Sequence, residues 1–252
     1  MSPYGYGMFA KDVLRALVLG ALAANAAAPN TPAGTRTFPA QRDATLIENS
    51  DGAAATGAGP AVFAGRTNLP DNAVRRALLR FDLTTGALPK RPVAAAIERV
   101  AVVLTNLMEP PAAAPREFRL HRLLADWGEG ASSSPGGTGA PAEPGDATWI
   151  HTFYPDGFWM HNGAQFVGEP SARLVVAGPG VYRFEGDGLV RDVALWSREP
   201  KSNFGWILIG DETERMTARA FASRENPEPS LRPVLEIRYL PQATIVSESR
   251  FD

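Results

Sequence analysis

Between residues 43 and 240 the apolar side chains come in short runs separated by Gly, Pro, Asn, Asp and Ser. Several runs alternate. In Val234-Leu-Glu-Ile-Arg-Tyr239, Leu235, Ile237 and Tyr239 take one face and Glu236 and Arg238 the other, the period-2 signature of a half-buried strand. The same reading predicts strands at Ala44–Glu48, Ala61–Arg66, Arg75–Leu83, Ile97–Leu107, Glu117–Ala125 and Thr148–Tyr154. It continues with Ala172–Val176, Val181–Glu185, Gly205–Gly210, Ala218–Ser223 and Pro233–Leu240. One segment has a different period. Leu189, Val193 and Trp196 recur at i, i+4 and i+7 ahead of Pro200, which predicts a short helix with one apolar stripe. Many short strands with turn signals between them predict an all-β fold. The expectation is a single jelly-roll-type antiparallel β-sandwich with one short helix plugging an edge or end, and long loops.

Two loops stand out. Residues 128–147 (GEGASSSPGGTGAPAEPGDA) carry no strand pattern, and residues 155–171 carry Phe158, Trp159 and His161. A structureless loop as long as the first is uncommon inside a domain and is usually functional or disordered. Gly and Pro, 46 of 252 residues, agree with a fold rich in turns. Ahead of the strands, residues 13–28 (VLRALVLGALAANAAA) follow Lys11 with an apolar run ending in small residues, the layout of a secretory signal. A short N-terminal helix is the alternative for residues 1–28. Residues 29–42 read as a Pro/Ala-rich linker or arm, 43–240 as the sandwich domain, and 241–252 as a polar tail.

Net charge is −2, which lacks the basic footprint of nucleic-acid proteins. The absence of cysteine removes disulfides, zinc–thiolate sites and cysteine nucleophiles together. No G-x-S-x-G, P-loop or short-spaced histidine pattern occurs, so no catalytic residues are assigned. Arginine dominates the cations, with 22 Arg against Lys11, Lys90 and Lys201. Arg76 and Arg80 share a strand face, as do Arg116 and Arg122, and a row of guanidiniums suits an acidic glycan. The alternative is a solvated face paired with local acids. Trp149, Phe153, Tyr154, Phe158 and Trp159 cluster within eleven residues. Flat rings stack on sugar C–H faces, or else they anchor loops to a core. The candidate ligand-binding set is therefore Trp149, Tyr154, Trp159, Arg76, Arg80 and Arg122. Acids at strand–loop junctions, Asp126, Glu129 and Asp211 first among them, could surround a structural calcium ion, the metal the residue types favour over a site built from the scattered His121, His151 and His161.

Several phrases occur together in order: Arg75-Arg-Ala-Leu-Leu-Arg-Phe-Asp-Leu83, Leu120-His-Arg-Leu-Leu-Ala-Asp-Trp-Gly-Glu-Gly130 and Pro144-Gly-Asp-Ala-Thr-Trp149. Asn203-Phe-Gly-Trp-Ile-Leu-Ile-Gly-Asp-Glu212, Phe221-Ala-Ser-Arg-Glu-Asn226 and Arg232-Pro-Val-Leu-Glu-Ile237 follow. The chain resembles the bacterial DNRLRE-domain proteins over roughly residues 43–240. The resemblance implies an exported, non-catalytic β-sandwich akin to carbohydrate-binding modules. The functional expectation is a secreted, periplasmic or cell-surface bacterial module that binds extracellular polysaccharide. Its rival is a structural subunit of an extracellular matrix, surface layer or filament, self-assembling or held in a larger surface complex, with the 29–42 arm docking by strand addition. Neither reading involves nucleic acid or a membrane span.

Overall fold

The computed structural model describes residues 34–71, 73–84, 97–108 and 114–240. The signal-like segment 1–28, residues 29–33 of the arm and the tail 241–252 lie outside the described residues. In chain order the strands are β1 (Gly34–Ile47), β2 (Ala54–Thr56), β3 (Ala61–Arg66), β4 (Val74–Phe81), β5 (Ile97–Met108), β6 (Arg116–Arg122) and β7 (Ala140–Pro141). Then come β8 (His151–Phe153), β9 (Gly157–Phe158), β10 (Ala172–Val176) and β11 (Gly180–Glu185). The helix α1 (Asp187–Arg198) follows, and β12 (Trp206–Ile209), β13 (Arg219–Ala222) and β14 (Val234–Tyr239) complete the chain. Among the described residues no helix is long and apolar enough to cross a membrane.

The fold is an all-β antiparallel sandwich. In one layer β5 pairs with β11 on one side and with β14 and β13 on the other. The other layer runs β10–β6–β12–β4–β1–β2–β7. Two strands stitch the layers together. Gly34–Pro39 of β1 pair with β14, and a bulge between Ala40 and Arg42 then redirects the strand so that residues 42–47 pair with β4. Strand β3 likewise pairs first with β13 and ends against β4. The arm expected over 29–42 is thus corrected over residues 34–42. Phe38 sits in the buried core, and the backbone of Gly34–Pro39 completes a ladder with β14. The Pro/Thr/Ala composition concealed this, because Pro39 falls at the strand's bend, where a missing N–H is tolerated.

The main core lies between the layers. Phe81, Phe118, Trp206, Phe221, Leu235 and Ile237 are buried there, with Phe118 and Phe221 edge to face at 5.6 Å. Helix α1 adds Leu189, Val193 and Trp196 to it, the Trp196 ring lying 4.5 Å from that of Trp206.

The β4–β12 layer is buried on its other face too. Ala44, Leu46, Leu78, Ile207 and Ile209 pack outward against Leu123, Trp127, Ala147 and Trp159, all from the segment that joins β6 to β10. The loops form a third layer. Residues 128–147 are anchored rather than loose: Ser132 O accepts from Gly57 N and Ala58 N, and Gly128 N donates to Thr152 O. Gly130, at φ +70°, makes a left-handed turn there, with its missing Cβ leaving room for Asp146.

Candidate functional site

Residues directly opposite in an antiparallel ladder share a face, so register decides what each arginine can reach. Leu79, Trp206 and Arg122 stand in line and face the sandwich core. Arg76 and Arg80 lie in the alternate register with Leu78 and face the loop layer. The three therefore cannot form one basic row. Each is committed to a carboxylate. Arg76 is bidentate to Glu212 (2.7 and 2.9 Å), donates to Gly163 O at 2.6 Å and stacks over Trp149 at 4.9 Å. Arg80 and Arg42, opposite each other across β4 and β1, share Asp126 Oδ1 at 3.0 and 2.8 Å. Arg122 meets Asp192 at 3.0 Å. The solvated-face alternative accounts for part of this, but Arg76 clamps the loop layer to the sheet.

The aromatic set divides by depth. Trp159 is buried and its Nε1 donates to Thr148 O at 2.9 Å, which corrects its assignment as a ligand contact. Trp149 is half-buried beneath Arg76. Tyr154 is half-buried, with its ring 5.1 Å from His151. The exposed rings are two that the candidate set omitted: Phe158 at 62% and Phe153 at 39% exposure. They flank the β8–β9 hairpin, with Met160 also exposed beside it. Phe158 packs its ring 4.8 Å from His151, whose Nδ1 is held 2.9 Å from Thr148 Oγ1. The hairpin is thus an apolar tip on a buried, hydrogen-bonded base. In sequence the signal was the alternation itself: Trp159 and Phe158 are neighbours, and only one of two neighbours on a strand end can face the core.

The expected calcium set does not converge. Asp126 serves Arg42 and Arg80, and Asp211 accepts from Thr213 Oγ1 (2.7 Å) and lies 3.4 Å from Arg116. Glu129 turns inward and meets two acids absent from the expected set, Asp43 and Glu225. Glu129 Oε1 accepts from Asp43 N at 2.8 Å and Oε2 from Arg224 Nη1 at 2.9 Å. Arg224 also reaches Glu225 Oε1 at 2.5 Å, and its backbone N–H donates to Asp43 Oδ2 at 2.7 Å. Burial pushes the carboxyls of Asp43, Glu129 and Glu225 above their ordinary range, Asp43 well above it. Among the described residues this is the one group of three His, Asp or Glu side chains with ligand atoms mutually within 4.8 Å.

Two further features complete the surface. Asp192, on α1, accepts from Ser171 Oγ at 2.5 Å and from Trp206 Nε1 at 2.8 Å, and burial raises its pKa despite these donors and Arg122. A groove of about 610 Å³ is lined by Phe63, Leu69, Met108, Met216 and Ala220; it is apolar and gathers no set of acid, base and nucleophile.

A scan against protein-family models finds no match, and a search of the curated proteins finds none.

Proposed function

We propose that this chain is a non-catalytic, exported β-sandwich module that binds polysaccharide through the tip of the β8–β9 hairpin. The observation that carries the reading is the pair of solvent-facing rings, Phe158 and Phe153, on a base fixed by buried Trp159 and His151. Aromatic side chains present area at little entropic cost, and a fixed base removes the cost of ordering the loop on binding. The resemblance to DNRLRE-domain proteins, resting on the phrases quoted above, supports the exported and carbohydrate-binding parts. A non-catalytic role is supported by the acids. Asp43 is wholly buried, and Glu129 and Glu225 are joined to Arg224, so these three clustered acids are not placed to act as an acid–base pair on a polymer. Arg76, Arg80 and Arg122, the arginines of the candidate set, are engaged with carboxylates, so the ligand class favoured is a neutral glycan rather than an acidic one.

Affinity electrophoresis against neutral and acidic polysaccharides tests the reading. Retention of the wild-type chain by at least one neutral polysaccharide, lost in Phe158→Ala, is expected. No retention anywhere, or retention untouched by both Phe158→Ala and Phe153→Ala, overturns it.

The second reading, a structural subunit of an extracellular matrix, surface layer or filament, is favoured by the apolar groove, where Met108 is 63% exposed. Sedimentation over a wide concentration range separates the two. Assembly without polysaccharide retention supports the structural role, and a monomer throughout argues against it.

A further inference from the structure

Asp43 stands opposite Leu79, in the core-facing register of β1, and no part of it reaches solvent. Its Oδ2 accepts from Arg224 N, and its Oδ1 has no hydrogen-bond partner. Glu225 Oε2 is likewise buried and without a partner. Buried carboxylate oxygens are normally satisfied, because an uncompensated charge taken out of water is strongly destabilising. Arg224 offers one positive charge to three carboxylates. Its guanidinium spans Glu129 and Glu225, but it meets Asp43 only through the backbone.

Geometry narrows what would complete the site. Three oxygens mutually within 4.8 Å have a common point no farther than about 2.8 Å from each, the circumradius of that triangle. That is within reach of the roughly 2.3–2.6 Å calcium–oxygen distance, and calcium accepts an irregular set of six to eight oxygens where magnesium demands a near-ideal octahedron. The donors are all oxygen, with no imidazole or thiolate to draw zinc or copper.

We infer that Asp43, Glu129 and Glu225 form a calcium site, with the unpartnered Asp43 Oδ1 and Glu225 Oε2 as ligand atoms. The ion staples three segments distant in sequence: the inner half of β1, the chain just after Trp127, and the turn that follows β13. Arg224 stays as the counter-ion of the remaining carboxylate oxygens. Water or backbone carbonyls bring the coordination to the six to eight oxygens that calcium takes.

The test uses the full chain, stripped with chelator and dialysed. Isothermal titration with CaCl2 is expected to give one site per chain. Thermal unfolding is expected to shift upward by about 5–10 °C when calcium exceeds Kd a hundredfold, and by less with magnesium at equal concentration. Glu225→Gln, a half-buried and nearly isosteric change, is expected to fold in chelator and to lose the calcium-dependent shift. Asp43→Asn is expected to do the same. If neither variant folds, the wild-type stoichiometry decides. Absence of both heat and shift in the wild type up to about 10 mM calcium, beyond the weakest extracellular sites, overturns the inference. A shift that survives in both variants overturns the location.

Discussion

Arg76→Ala separates a structural arginine from a ligand-binding one. The substitution removes a bidentate ion pair with Glu212, a hydrogen bond to Gly163 O and a guanidinium stacked over Trp149. The Arg76 and Glu212 side chains are 16% and 23% exposed, so the pair is largely but not wholly removed from water. Full burial would place the loss near 3–5 kcal/mol, and full exposure below about 1 kcal/mol. The charge-assisted bonds are worth about 1.5–3 kcal/mol and the stacking about 0.5–1 kcal/mol. With solvent screening, an overall loss of roughly 2–3 kcal/mol is expected. In a domain of this size that lowers Tm by about 5–10 °C. Arg76→Lys is expected to recover only part, since an ammonium cannot hold both Glu212 oxygens in a fork. Urea unfolding followed by tryptophan fluorescence measures the loss, and polysaccharide retention measures function on the same samples. Stability within about 0.5 kcal/mol of wild type, together with lost retention, would refute the clamp and return Arg76 to the binding surface.

Asp192→Ala strips an acceptor from Arg122, Ser171 and Trp206 at once and is expected to cost about 3–5 kcal/mol in chemical unfolding. Asp192 also carries a pH signature. Its folded-state carboxyl holds its proton to higher pH than the unfolded one, so folded chains bind more protons between the two values. Its contribution to stability is therefore greatest below the unfolded value near 3.8 and falls as pH rises through the raised folded value. Asp192→Asn should lack that slope in a series of Tm measurements against pH, and an unchanged slope would contradict it. Gly205, at φ +81°, leaves no room for a side chain, because a Cβ would sit 2.1 Å from Leu79 O. Gly205→Ala is expected to cost roughly 2–4 kcal/mol from left-handed strain and overpacking, read as a lower midpoint in urea.

The strands were legible where one face was buried and the other wet. Val234–Tyr239 and Ala172–Val176 fall within a residue of their predicted limits because alternation marks both ends. The helix was legible from Leu189, Val193 and Trp196 alone. The loop layer was not. Its contacts are single side chains such as Trp127 and Trp159 spaced along a Gly/Pro-rich chain, with no period to betray them. That hidden layer is why Arg76 and Arg80 looked free: their outward face in the strand is covered by residues with no recognisable pattern. It also concealed which acids turn inward. Asp126 and Glu129 are three residues apart, but a pair of strand arginines claims the first. Asp43 left a readable mark, a carboxylate in the same register as Thr45 and Ile47 on a buried strand. Pairing it with Glu225 required the crossing of β1 from one layer to the other, which no local pattern specifies.

The central claim is that the β8–β9 tip is the polysaccharide contact. Backbone amide chemical-shift mapping of the isotope-labelled chain, titrated with a polysaccharide that retains it, tests this most directly. Shifts confined to residues 149–162, centred on Phe153 and Phe158, are predicted. Shifts centred on the groove between Leu69 and Met216, with the hairpin amides unmoved, would contradict it.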